Sequence, residues 1–207
     1  MSRMVPRMLA GVCVAVLGVS LAAAQNLVVN ADFHSDVSGW TQLSAVTLSW
    51  DGTSDYQNQP GSGSAEILNE ADAASNSGAI QCIDGIVGGQ SYDLSAWLRA
   101  PTGQTGEGYA KVFVWWYTLA GCSGTMSTGP TTPRLYTSDN WIEQDAGSTD
   151  APLSTQSTLV YLNISKTSVT PGEYRVSYDH VVFERSGLIF ADGFEEGDLM
   201  AWSVSVP

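Results

Sequence analysis

The chain has 207 residues, 43% of them hydrophobic and 14% charged, with 8 Lys and Arg against 21 Asp and Glu. Such an acidic balance excludes a nucleic-acid binder, which needs a basic face to neutralise phosphates, and it opposes docking on anionic membrane surfaces. The length suits one domain of ordinary size with a real hydrophobic core and a short tail.

Residues 1–24 read as an export signal. Arg3 and Arg7 precede the apolar stretch LAGVCVAVLGVSLAAA, and Ala22 and Ala24 form an A-x-A cleavage site before Gln25. The apolar run falls short of the roughly 20 residues of a membrane span. Val12 between Gly11 and Cys13 breaks the lipoprotein pattern that LAGVC suggests. The expected mature protein is therefore secreted, either extracellular or periplasmic, without a membrane span. It retains six basic residues against 21 acidic ones, a net charge of −15. Two cysteines survive processing, Cys82 and Cys122. In an oxidising compartment such a pair reads as one disulfide, with two buried free thiols as the alternative.

After the signal, no 3.6-residue periodicity is sustained. Short alternating segments between turn residues predict an all-β antiparallel sandwich, with strands at 43–50, 64–69, 79–86, 91–99, 110–119, 140–146, 157–165 and 173–184. GIVGGQSYD (85–93) reads as a hairpin-like connection, because Gly88-Gly89 supplies positive φ. Residues 101–108 and 121–140, rich in Gly, Thr, Pro and Ser, are expected as loops.

Three strands have informative faces, since successive side chains point to opposite sides. In SYDLSAWLR the even positions Tyr92, Leu94, Ala96 and Leu98 belong in the core, and the odd row carries Asp93, Ser95, Trp97 and Arg99. In AKVFVWWYT the core row is Val112, Val114, Trp116 and Thr118, against Lys111, Phe113, Trp115 and Tyr117. In STLVYLNIS it is Val160, Leu162 and Ile164, against Leu159, Tyr161 and Asn163. Aromatic rings among charged and amide groups suit a sugar: the ring covers the C–H face of a pyranose and the polar groups bond its hydroxyls. The candidate ligand-binding set is Trp97, Arg99, Trp115, Tyr117, Tyr161 and Asn163. The competing reading is that these rings fill a second core layer or an interface.

NLVVNADFHSDVSGW (26–40), SGSAEI (62–67), GGQSYDLSAWLRAP (88–101), DNWIEQ (139–144) with DAPLSTQSTLVYLNI (150–164), and YRVSYDHVVFE (174–184) occur in that order. This ordered set resembles the carbohydrate-binding modules with the galactose-binding-like jelly-roll fold, of the type of families four, nine and twenty-two. The resemblance implies a jelly roll over 25–185, with Phe33 and Trp40 as packing residues and Trp97 lining the glycan cleft. It also implies a structural Ca2+, held by a carboxylate after that Phe, an Asp of the closing strand and backbone carbonyls. Here the chain departs, because His34 and Asp179-His180 stand at the acidic positions. Asp32, Asp179 and carbonyls remain as a weaker calcium set. The sharper alternative is a transition metal on His34 with Asp179 or His180, weighed against two inert polar histidines.

The tail 186–207 contains LIFADGFEEGDLMAW, which resembles a "DGFExGDxxxWS" ending of secreted bacterial proteins. Asp192, Glu195, Glu196 and Asp198 crowd four carboxylates there, and a solvated tail is expected. The predicted function is non-catalytic binding of a polysaccharide or cell-surface glycan by a jelly roll expected to be a monomer. The alternative is a structural or cell-surface interaction protein built on the same fold without sugar. No nucleophile–base motif supports an enzyme: G-x-S-x-G is missing from the sequence, and GCSG (121–124) carries the cysteine expected in the bridge. Acting in trans beside separate hydrolases remains open to such a protein.

Overall fold

The structure, a computed structural model, describes residues 25–167 and 171–186. The described residues contain no helix; ten strands form two five-stranded antiparallel sheets. The front sheet has the order β2 (Thr47–Asp51), β3 (Ser64–Asn69), β10 (Tyr174–Arg185), β5 (Ser91–Ala100), β8 (Ser138–Asp150). The back sheet has the order β1 (Thr41–Gln42), β4 (Ser75–Asp84), β9 (Ser157–Lys166), β6 (Gly108–Leu119), β7 (Ser123–Thr131). The expected all-β sandwich, a galactose-binding-like jelly roll, is what the chain adopts. The proposed signal and acidic tail lie outside the described residues, as do the four tail carboxylates.

Alternation decides which side of each strand is buried. On β5 every even position is buried and every odd one half-exposed. On β6, Val112, Val114 and Trp116 face inward. Apolar side chains leave water by meeting those of the opposite sheet, and this burial is the main favourable term in folding. Trp116 (1% exposed) packs against Tyr92 and Phe183, ring centroids 5.8 Å from each, so one indole ties the sheets together. Phe33 and Trp40 are buried with centroids 5.8 Å apart, as the resemblance implied.

Two readings of connections need correction. Residues 121–140 are not all loop, because β7 pairs along β6. As an edge strand exposed on both sides, β7 has no buried row to imprint an alternation on SGTMSTGPT. Residues 85–93 do not form a hairpin either: β4 and β5 belong to different sheets, and the segment crosses between them. Gly89 does take positive φ (80°), but its N–H donates to Ala151 O (2.7 Å).

Cys82 and Cys122 form a disulfide, with Cα atoms 5.9 Å apart, joining β4 to the β6–β7 turn. No described helix is long and apolar enough to cross a membrane. The bridge separates its cysteines by 40 residues, so chain entropy predicts that Cys82→Ser/Cys122→Ser lowers the unfolding free energy by about 4 kcal/mol. A urea titration of both proteins measures this; an unchanged midpoint would show that the loop is already constrained in the unfolded chain.

Candidate functional site

Trp97 lies on the outward row of β5, half-buried. Strand register sets Glu143 of β8 on one side of it and Asp179 of β10 on the other. Arg99 follows two residues later on the same row, opposite Ser177. The segment 51–61 folds across this row. Its turns are fixed by carboxylates: Asp51 accepts the Thr53 N–H (2.9 Å), and Asp55 accepts those of Gln57 (2.9 Å) and Gln59 (2.7 Å). The result places Tyr56 against Trp97, with centroids 5.1 Å apart and planes 30° apart, and Ser54 Oγ where it accepts from Arg99 (3.2 Å). Arg99 Nε is buried with no described partner. Trp97 and Tyr56 thus form a joint aromatic surface with an arginine and a glutamate beside it.

Tyr56 is held from beneath. Its N–H donates to Asp179 Oδ2 (3.1 Å), and its ring stacks on His180 at 5.1 Å and 26°. His180 Nδ1 lies 2.6 Å from Asp32 Oδ1. Between Asp179 and Val182 the register of β10 shifts, and His180 takes a left-handed φ of 43° there. That bulge turns the imidazole toward Asp32 and Tyr56. Burial pushes the Asp179 carboxyl up to about 7; the N–H groups of Tyr56 and His180 oppose the shift, and Asp55 and Asp32 add to it. The Tyr56 phenol is also raised, first by burial and then by Asp32, Asp179, Asp55 and Glu143, so it sits in an acidic surround.

The residues proposed for metal meet in this region. Asp32, His34, Asp55 and His180 line one cavity of about 210 Å³ below Tyr56. Their donors are directed elsewhere, however. His34 Nδ1 faces Ser62 Oγ (3.3 Å), Asp32 faces His180, and each Asp179 oxygen accepts a backbone N–H. Among the described residues no group of three or more His, Cys, Asp or Glu is arranged to hold a metal ion. Calcium takes about six to eight hard oxygens, and the side chains as placed do not supply that cage.

The six proposed ligand-binding residues do not form one site. Trp97 and Arg99 belong to the front sheet, whereas Trp115, Tyr117, Tyr161 and Asn163 belong to the back sheet and face the other way. Trp115 and Tyr117 are half-buried. Tyr161 is covered by Phe113, stacked at 4.7 Å and 20°. Asn163 is 0% exposed, its amide donating to Asn76 Oδ1 (2.6 Å) and Ser77 O (3.1 Å). Tyr56, Ser54 and Glu143 were missed. Tyr56 and Ser54 sit in a turn-rich segment where no periodicity points to a face. Glu143 was inside a predicted strand, and the only available signal was its pairing opposite Trp97.

No family model matches the sequence, and no curated protein matches it. Solved structures do share the fold. The family 22 carbohydrate-binding module at the C-terminus of Clostridium thermocellum Xyn10B superposes with a TM-score of 0.55 at 16% identity, over 77% of this chain and 93% of that one. The CBM22-1 xylan-binding domain of Paenibacillus barcinonensis Xyn10C gives 0.53 at 14% identity, over 75% and 91%. The CBM22-1 and GH10 modules of C. thermocellum xylanase 10B, complexed with xylohexaose, give 0.54 at 20% identity over 79% of this chain, which spans only 29% of that protein. The fold is that of carbohydrate-binding jelly rolls.

The Asp179 carboxyl makes stability depend on pH with a definite sign. Its folded pKa, about 7, exceeds the ordinary 3.8. Between those values the unfolded chain ionises first and binds fewer protons, so stability falls as pH rises and levels off above 7. The expected loss is about 2–4 kcal/mol. Urea midpoints at pH 5 and pH 8 read it, and Asp179→Asn should shrink the difference. An equal difference in the variant would place the titration elsewhere.

Proposed function

We propose that this chain is a secreted, non-catalytic polysaccharide-binding protein whose sugar site is the outward face of the front sheet around Trp97. The carrying observation is the Trp97–Tyr56 pair, held at 5.1 Å beside Arg99 and Glu143. Rings of this kind cover the apolar C–H face of a sugar, while a guanidinium donates to its hydroxyls and a carboxylate accepts from them. The carboxylates along this face favour an uncharged glycan. Xylan is the first to test, since fold neighbours are xylan-binding domains. A half-open platform of two rings supports affinities of about millimolar to micromolar. Export is supported by the signal-like residues 1–24 and by the disulfide, which suits an oxidising compartment.

Affinity electrophoresis in gels containing xylan, cellulose, β-glucan, mannan or chitin tests this. Retardation by one of them is expected. Trp97→Ala should weaken it about tenfold, and Tyr56→Ala and Glu143→Gln by smaller factors, with urea midpoints that still report a folded sandwich. No retardation in any gel, or retardation untouched by Trp97→Ala, would leave the jelly roll as a structural scaffold.

A further inference from the structure

Two cations on the back sheet lack the counter-charges that this acidic chain has in excess. Lys111 Nζ lies 4.8 Å from the centre of the Phe113 ring, and Arg134 Cζ lies 4.3 Å from that of Tyr109. Tyr109, Lys111 and Phe113 share the outward row of β6, and a bridge between Ala110 and Leu135 sets Arg134 beside it. Among the described residues neither cation has a carboxylate within ion-pair distance, although acidic residues outnumber basic ones 21 to 8 in the sequence. Arg175 on the front sheet, by contrast, meets Glu66 at 3.4 Å and Glu173 at 3.6 Å. Next to Lys111, the rings of Phe113, Trp115 and Tyr161 cluster on the same outward face.

The sequence supplies an occupant for such a surface. Past Ser186 it continues GLIFADGFEEGDLMAW (187–202), in which Asp192, Glu195, Glu196 and Asp198 lie among Phe190, Phe194, Leu199 and Trp202. Charge decides which face suits it. The front-sheet strands carry nine carboxylates, one each on β2, β3 and β5, four on β8 and two on β10, and repel an acidic segment. The back-sheet strands carry one, Asp84, which accepts the Gly121 N–H (2.6 Å). The reach also fits. Ser186 N–H donates to Ser91 O (2.8 Å), and Ser91 pairs with Asp150 at the end of β8. From there residues 151–156 lead to Ser157, which pairs with Tyr117 of β6, so the chain leaves the front sheet at the end where β6 finishes. Residues 187–198 when extended span about 40 Å, against about 10 Å between packed sheets and about 20 Å along β6 from Tyr117 to Lys111.

We infer that the outward face of the back sheet around Lys111, Arg134 and Trp115 is the docking surface for the protein's own C-terminal segment, residues 190–202. The carboxylates of that segment supply the counter-charges of Lys111 and Arg134, and its aromatic side chains lie against the ring cluster. Exposed ion pairs are weak singly, but the contact is intramolecular, with an effective concentration on the order of millimolar, so a few of them hold the segment in place. The bond is therefore sensitive to salt. It does not depend on the Trp97 site.

The sequence has two lysines, Lys111 and Lys166, and Lys166 is only 1% exposed. Carbodiimide joins an amine to a carboxylate only where the two touch, so it reads this contact directly on the mature chain. At low salt Lys111 should couple to Asp192, Glu195, Glu196 or Asp198, as identified by peptide mass spectrometry, and the product should fade at high salt. Arg134→Gln should lower the yield about threefold, whereas Arg175→Gln, which removes the same charge from the front sheet, should leave it unchanged. Chymotrypsin cleavage after Phe194 gives a second reading: Lys111→Gln/Arg134→Gln should speed it about fivefold with the urea midpoint unmoved. Coupling of Lys111 to none of the four carboxylates, or a yield indifferent to salt and to Arg134→Gln, would overturn the inference. So would coupling found only between labelled and unlabelled chains in a mixture, because that result would assign the face to a second copy.

Discussion

The placement of β10 is the constraint on which the rest depends. It runs through the middle of the front sheet between β3 and β5, so two strands far earlier in the chain complete their hydrogen bonds only when it arrives. Its bulge gathers other segments as well. The N-terminal residues attach through Leu27 N–H to Phe183 O (2.8 Å) and Val181 N–H to Ala31 O (3.0 Å). Asp179, 0% exposed, anchors the segment that carries Tyr56. A buried carboxylate is tolerable there because both oxygens accept N–H donors, and burial still raises its pKa. One local irregularity therefore sets the entry of the chain, the crossing segment and the aromatic pair.

A sandwich built in this way has two outer faces with separate chemistry. The front is acidic, with Trp97 and Tyr56 joined over a base of Asp179, His180 and Asp32. The back-sheet strands carry a single carboxylate, Asp84, and their outward face holds the ring cluster of Phe113, Trp115 and Tyr161. The thickness of the core keeps their fields apart, so net charge describes neither face well. Buried Lys166 shows the same local logic: it is only 1% exposed, and its ammonium donates to the carbonyls of Ala71 and Gly172, closing one end of the sandwich. The fold positions charge by what each group can pair with, not by the overall balance.

How much could be read in advance depended on whether a residue had one face in the core. The even rows of β5, β6 and β9 were legible because burial repeats every second residue, and Phe33 and Trp40 were legible through ordered motifs. Strand β7 was not, since a strand exposed on both sides has no reason to alternate. The odd rows were assigned outward, which holds for Trp97 and Trp115. Outward did not mean open, however: Tyr161 is covered by Phe113, and Asn163 is enclosed by Asn76 and Ser77.

The sequence alone determined the class of fold, the inward rows, the cysteine pair as the natural bridge and the outward placement of Trp97. These follow from local periodicity and residue chemistry, which act over a few positions of one strand. Only the tertiary structure decided which rows share a sheet. It put Trp97 and Trp115 on opposite sides of the core, brought Tyr56 from a turn-rich segment onto Trp97, and turned His180 toward Asp32. Strand order and crossing connections join residues far apart in the chain through long-range pairing, and the pattern within a single strand has no term for it.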